Sequence, residues 1–560
     1  MMNSKLTITC LLIFMFVTTG KVMSSSDITL TEFPGLQQQM FVYRDTVKNV
    51  DGRFPGFSPW FMIYPDKPCN KEQAEALIRE LGIDKYLSEY SATVSVVNPI
   101  GNSYDNAKDF DAYKELLNKL RVFTNLKIIG IGSGATFVNN TIANHAGAVA
   151  GIVSINGKSF GLKSVGASVP AFIAGANSKH VASSYIKRNE AVMQSKSGEL
   201  AFYANEQEPL LQVVVSTDKQ KSLKETFDDA WTHLLSKNYR FNNYKHTWYT
   251  GTSFDQYGPY QLEPYIMPDE WNVSRLAVEK DLLGTGTFLW YEFHPQAIQN
   301  APKASVPLLL LLHGNNNDPR TQAETSGFIE VCAKENFMVA ELEWQGNGYA
   351  PMGLDGIELV VYHLLETYPQ LDPSRVYAEG LSAGSATATA LGIRKSHLFA
   401  AVGGHSAGLI PNRYAFGYSL EALLNEATQK RSYVEMPYFS ITGTDDETVP
   451  FPNQENWQEN TFFHAWKTYQ TMNGMAVTDQ LDFNKYDLFG LELKDRQTLH
   501  TNKNISMETG SLYKGNVPLI KLVAVMDYGH WNFKPAAQLM WDYFKLFARN
   551  PETKELIYKP

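Results

Sequence analysis

A chain of 560 residues exceeds one ordinary hydrophobic core, so two or three domains are expected. Its 44% apolar and 19% charged content is that of a folded protein, and the formal charge of −9 arises without a long acidic or basic run. This balance argues against a nucleic-acid partner and disfavours a bulky anionic one.

The chain opens with Lys5, an apolar run from about Leu6 to Val17 and then small polar residues. That layout predicts a signal peptide over 1–24, cleaved after Ser24, because the run is shorter than the roughly 20 residues that span a bilayer. Export to the medium or the cell surface follows as an expectation. Cleavage would remove Cys10 and leave Cys69 and Cys332, too few for a disulfide framework, and two buried free thiols are expected. No Cys/His spacing suits zinc, so neither a metal nor another cofactor is indicated. Asn139, Asn272 and Asn504 head N-x-Ser/Thr sequons.

In the first half, "SPWFMIYPDKP" reads as a strand, "KEQAEALIREL" as a helix and "SATVSVVN" as a strand. The loop "PIGNSYD", a helix over "DFDAYKELLNKLR" and the turn "LKIIGIGSGATF" follow. Then come "AGAVAGIVSING", "VPAFIAGANSK" and "PLLQVVVSTDKQK" as strands, and a helix around Trp231. The segment "YGPYQLEPYIMPDEW" has neither a helical nor a strand period and reads as linker.

The second half repeats this order. "GTFLWYEFHPQAI" and "SVPLLLLLHGNNND" read as strands, the latter apolar enough to be buried on both faces of a parallel sheet. A helical stretch "TQAETSGFIEVCAKEN", the strand "FMVAELEW" and the helix "GLDGIELVVYHLLETY" precede "SRVYAEGLSAGSATATA". Strands over "LFAAVGGHSAG", "MPYFSITGTDDETVP" and "VPLIKLVAVMDYGHWN" come next, and the amphipathic helix "PAAQLMWDYFKLFAR" closes the chain. Laid together without gaps, Gly130 and Gly134 fall on Gly380 and Gly384, and Gly132 falls on Ser382. The expectation is two tandem α/β domains of one fold, each a mostly parallel sheet flanked by helices, over 27–240 and 281–560 with a linker at 241–280.

The second half carries chemistry. A serine hydroxyl is a weak nucleophile without a base, a partner that orients the base and donors for the oxyanion. Gly380-Leu381-Ser382-Ala383-Gly384, between a strand and a small-residue helix, fits a nucleophile elbow. The partners should follow as acid and then histidine. Among Asp445, Asp446 and Glu447, Asp446 is favoured by its spacing from Gly443 and Pro450, with Asp445 as the fallback. His530 in "MDYGHWN" lies directly after an apolar strand, where a base is needed, with His405 and His313 as rivals. His313 ends a strand in a His-Gly turn, so the backbone N–H near Asn315 can join that of Ala383 as the oxyanion hole.

"LDPSRVYAEGLSAGSATATAL", "LLLLLHGN", "GTDDETVP" and "GHWN" together resemble the esterases grouped with polyhydroxybutyrate depolymerases and feruloyl esterases, within the α/β-hydrolases. The resemblance covers roughly residues 285–550. It implies hydrolysis of a carboxylic ester, on a small molecule or a polymer, through an acyl-enzyme with Ser382 as nucleophile, His530 as base and Asp446 as acid. Two departures stand out: Ser385 replaces a glycine usual in the family, and roughly 80 residues separate Asp446 from His530. The aromatic-rich insertion between them is expected to cover part of the site.

In the first half the aligned positions are Gly132 for the nucleophile, Ser178 for the acid, about Lys221 for the histidine and Pro65-Asp66 for the His-Gly turn. Shifting the register to Ser133 puts Ile131 and Ala135 where glycines are needed. This half is expected to be catalytically silent. Two further readings of the whole chain are a serine peptidase or acyltransferase on the same triad, and a surface binding protein without activity.

Overall fold

The computed structural model describes residues 28–44, 58–90, 92–120, 125–161, 168–241, 261–264, 271–282, 284, 286–409, 422, 425, 434–501 and 505–560. The expected signal peptide and Asn504 lie outside them.

The first half contributes ten strands: β1 (Thr31–Glu32), β2 (Met40–Arg44), β3 (Trp60–Tyr64), β4 (Thr93–Val97), β5 (Leu126–Ile131), β6 (Val149–Ile155), β7 (Ala171–Ala174), β8 (Val192–Ser197), β9 (Leu200–Ala204) and β10 (Gln212–Ser216). A short pair, β11 (Asn238–Phe241) and β12 (Gln261–Pro264), comes next. The second half adds β13 (Val273–Lys280), β14 (Phe288–Pro295), β15 (Val306–Leu312), β16 (Met338–Leu342), β17 (Leu371–Leu381), β18 (Ala401–His405), β19 (Tyr438–Gly443), β20 (Lys494–His500), β21 (Ser506–Lys514) and β22 (Val517–Val525).

The first sheet runs β1-β2-β4-β3-β5-β6-β7-β10-β9-β8 and the second β13-β14-β16-β15-β17-β18-β19-β22-β21-β20. Adding twelve to each strand number of the first order gives the second. The six central strands of each sheet are parallel and the outer ones antiparallel. The chain thus holds two tandem α/β-hydrolase-like domains. Strand β15, all seven of whose residues are buried, sits in the middle of its sheet with helices on both faces. One face packs helices Gly353–Thr367, Ala383–Arg394 and Thr461–Met472, and the other packs Phe328–Glu335 and Pro535–Phe544.

Several elements differ from the sequence reading. Strand β13 belongs to the second sheet although it falls in the segment read as linker; it is an edge strand buried mainly at Val273, which leaves a weak alternation. The hairpins β8–β9 and β20–β21 extend both sheets with outer strands whose residues are almost all exposed, so no apolar period announces them. The stretch after β15 is two helices, Pro319–Ser326 and Phe328–Glu335, broken at Gly327. Its φ is +86°, and a Cβ there would meet the Lys534 carbonyl at 2.6 Å. The last helix stops at Phe544, and β23 (Phe547–Arg549) pairs with β24 (Leu556–Tyr558). The insertion after Asp446 builds core rather than cover, since Phe462, Phe463, Trp466, Tyr469 and Phe489 are buried. Cys332 is buried, whereas Cys69 is only half-buried, and both are free thiols. Among the described residues no helix is long and apolar enough to cross a membrane.

Candidate active site

Strand β17 ends in a turn so tight that two of its residues have no room for a side chain. A Cβ at Gly380 would lie 2.3 Å from the Gly384 carbonyl carbon, and one at Gly384 would lie 2.0 Å from the Leu312 carbonyl oxygen. Between them Ser382 takes φ +53° and ψ −114°, a strained conformation for a residue with a Cβ, with its N–H bonded to the His405 carbonyl at 2.8 Å. The strain lifts the hydroxyl clear of the sheet at the head of helix Ala383–Arg394. Ser385, where the resembled family has glycine, fits because its neighbour on β18 is Gly404. Its hydroxyl donates to the Ala407 carbonyl at 2.5 Å.

The structure brings Ser382, His530 and Asp446 together. The Ser382 hydroxyl donates to His530 Nε2 at 2.9 Å, and His530 Nδ1 donates to Asp446 Oδ2 at 2.8 Å. A carboxylate can only accept, so the proton sits on Nδ1 and Nε2 is left to receive the serine's. Asp446 is itself fixed, its other oxygen accepting from the N–H groups of Thr448 and Val449 at 2.9 and 2.8 Å. Asp446 is buried, Asp445 half-buried and Glu447 exposed. Strand β19 reaches the histidine loop because Gly443 lacks a Cβ, which would stand 2.0 Å from the Tyr528 carbonyl.

The rival histidines have other tasks. His405 Nε2 accepts from the Phe533 N–H at 3.1 Å and its Nδ1 donates to the Ser406 hydroxyl at 2.9 Å, so both nitrogens are taken. Burial, with His530 close by, lowers its pKa to about 3. His313 is fully buried between the Gly314 carbonyl and Glu343, and it packs on Trp344, shaping the turn behind β15. That turn abuts the elbow, since Gly384 leaves no gap against the Leu312 and His313 carbonyls. Among the described residues, the N–H groups of Ala383 and Asn315 have no acceptor within the protein. Beside Asn315, Tyr291, Asn316, Asp318, Arg320, Asn347 and Tyr349 line a cavity of about 240 Å³.

Residues that the sequence reading missed hold the histidine loop from below. Asn532 Nδ2 donates to Gln322 Oε1 and to Thr325 Oγ1, both at 2.9 Å, and Gln322 Nε2 donates back to Asn532 Oδ1 at 3.3 Å. These partners lie about 200 residues apart in sequence, and no local pattern marks them.

In the first half the same backbone carries no such set. Gly132 has φ +56° and ψ −113°, and its N–H bonds to the Ile155 carbonyl at 2.9 Å. The register of β3 and β5 places Tyr64 opposite Gly130, as Leu312 stands opposite Gly380, so Asp66 occupies the place of Gly314. Its carboxylate accepts from the Ser133 N–H at 2.7 Å, the counterpart of the Ala383 N–H, and the Ser133 hydroxyl bonds to the Asp66 carbonyl. The strand register aligns Asp446 with exposed Lys179, one position beyond Ser178, which begins a helix. Lys221 is paired with Asp229. Asn139 lies on the buried side of the elbow helix Ser133–Asn140, donating to Ser154 and accepting from Tyr185, so its sequon cannot receive a glycan in the folded chain. Asn272 is exposed.

No protein-family model matches this chain, and no curated protein sequence does. Solved structures similar to it include an acetyl xylan esterase from Aspergillus awamori, at TM-score 0.34 and 13% identity over 49% of this chain and 99% of that one. Another is an S954A mutant of the feruloyl esterase module from Clostridium thermocellum complexed with sinapinate, at TM-score 0.30 and 12% identity over 49% of this chain and 87% of that one. The S-formylglutathione hydrolase from Staphylococcus aureus is similar at TM-score 0.25 and 17% identity, over 31% of this chain and 78% of that one.

Proposed function

We propose that the second domain is a serine hydrolase acting on carboxylic esters through an acyl-enzyme. The observation that carries this reading is the continuous chain from the Ser382 hydroxyl through both nitrogens of His530 to Asp446, set on a strained elbow. His530 takes the proton as Ser382 Oγ attacks the ester carbonyl, and the N–H groups of Ala383 and Asn315 receive the oxyanion. His530 then protonates the departing alcohol, and water repeats the sequence on the acyl-enzyme.

In this reading the first domain has no hydrolytic role and is a degenerate copy of the second. Asp66 fills the place where its oxyanion would bind, and the positions aligned with the base and its orienting acid hold Lys221, paired with Asp229, and exposed Lys179. The apolar run near the N-terminus supports export, which detection of the protein outside its host cell would test.

The deciding experiment labels Ser382 with a fluorophosphonate and compares turnover of p-nitrophenyl esters with that of peptide amides, with Ser382→Ala as control. Labelling at Ser382 with preferential ester cleavage is expected. An unlabelled serine in folded protein rejects the enzyme reading, and preferential amide cleavage turns it to a peptidase.

A further inference from the structure

Strand β11 is four residues long, and its alternation sends successive side chains to opposite sides. One side is bolted to the first domain. Asn238 donates to the Ala150 carbonyl at 2.9 Å and accepts from Nζ of the buried Lys127 at 2.9 Å. Arg240, fully buried, donates to the carbonyls of Ala146 and Ser168 at 2.8 and 2.7 Å. Residues this deeply paired leave the strand no freedom to slide.

The other side carries Tyr239, which is only 2% exposed yet has its apolar neighbours in the second domain, in one cluster with Tyr528, Trp531 and Phe533. The Lys534 ammonium lies 5.7 Å from the centre of its ring and 2.9 Å from Glu330. Burial alone would lower the Lys534 pKa, but Tyr239, Glu330 and Glu263 of the paired strand β12 outweigh it and hold the ammonium charged. Tyr528 and Lys534 bracket His530. Its loop is therefore held from below by the Gln322–Asn532 pair and from outside by a strand whose opposite side is fixed in the first domain.

We propose that the first domain serves the reaction as a strap: Tyr239 is a positioning residue that fixes the loop 528–534 and so holds the His530 imidazole against Ser382. This rests on the reading of His530 as the base. A displacement on the order of 1 Å costs such a site about a hundredfold in rate, which is why a remote domain can matter to it.

The test uses the full chain. With p-nitrophenyl acetate, Tyr239→Ala is expected to lower kcat about 10- to 100-fold with KM changed less than about threefold. It should also shift the midpoint of the pH–rate profile and speed hydrogen exchange at the amides of 528–534 selectively. Tyr239→Phe, which keeps the ring packed on the loop and removes only the hydroxyl that Lys534 contacts, should recover kcat to within about threefold. If Tyr239→Ala does not fold, Lys534→Met removes the cation and leaves the ring, and the same losses are expected. Unchanged kcat, pH midpoint and loop exchange in the folded variant overturn the strap. If wild-type Ser382 takes no fluorophosphonate, the hydrolase reading has failed instead. If it is labelled and the variant is labelled at the same rate, only the strap has failed.

Discussion

Gly132 and Ser382 share one backbone conformation, φ +56°, ψ −113° and φ +53°, ψ −114°, at equivalent turns of two sheets with one strand order. Each accepts from the N–H four residues on, Thr136 in one case and Ala386 in the other, and each donates to the strand behind it. The turn is thus a property of its flanking glycines and packing rather than of the serine. What the serine adds is a hydroxyl, at the cost of strain that glycine avoids.

That comparison predicts opposite effects on activity and stability. Ser382→Gly should abolish ester turnover, by at least about a thousandfold, while the unfolding midpoint stays level or rises. Relief of a positive φ is worth about 1–3 kcal/mol and the extra freedom of an unfolded glycine costs about 0.5–1 kcal/mol. Ser382→Ala should be equally inactive without the gain. Thermal unfolding beside p-nitrophenyl acetate turnover separates the two.

Restoring the hydroxyl in the first domain should not restore chemistry. A Cβ at Gly132 would stand 2.0 Å from Asp66 Oδ1, so Gly132→Ser is expected to destabilise that domain. Gly132→Ser with Asp66→Gly should recover most of the loss and still leave Ser382→Ala protein inactive, because Lys221, paired with Asp229, stands at the position aligned with the base. Ser133→Ala should leave wild-type turnover unchanged. Turnover by the double variant in the Ser382→Ala background would contradict the silence of this domain.

The neighbouring carboxylates can be told apart. Asp446 orients His530 through Nδ1 while Asp445 uses its backbone N–H to tie β19 to the Tyr528 carbonyl. Asp446→Asn should keep the fold and lower kcat by about 10³–10⁴-fold, since an amide that donates to Nδ1 favours the wrong tautomer. Asp445→Asn should change kcat by less than about fivefold. The pair is measured at saturating substrate, where kcat isolates the chemical step.

The central strands and both elbows were legible because they are written in strong local signals: Leu308–Leu312 is an unbroken apolar run, and the elbow glycines sit where no side chain fits. The outer hairpins were not, since "VMQSKS" and "KDRQTLH" face solvent and bear no buried stripe. Asp66 was legible as the counterpart of the His-Gly turn, but not the Ser133 N–H that its carboxylate covers, a contact made only on folding. Gln322 and Asn532 are joined only by folding. Strand β11 was read into the end of the first domain because its two-sided role depends on a second domain packing against Tyr239.

The buried charges behind the site predict a stability maximum on the acid side of neutral, between the unfolded values of 4.5 for Glu379 and 6.5 for His405, with two distinct flanks. Glu379 is enclosed on β17, in one row with Leu311 and Glu341, and burial raises its pKa to about 8. In the unfolded chain it titrates near 4.5, so between those values the folded state holds a proton that the unfolded state has lost. Stability must then fall as pH rises through this window, by at most about 1.4 kcal/mol per pH unit. His405 acts on the other flank. Its folded pKa of about 3 lies below the unfolded value of 6.5, so the unfolded chain binds more protons between them and stability falls as pH drops. Glu379→Gln should therefore raise the unfolding midpoint at pH 8 and leave it nearly unchanged at pH 4.5. A variant that gains as much at pH 4.5 as at pH 8 would show that its effect is packing and not the buried charge.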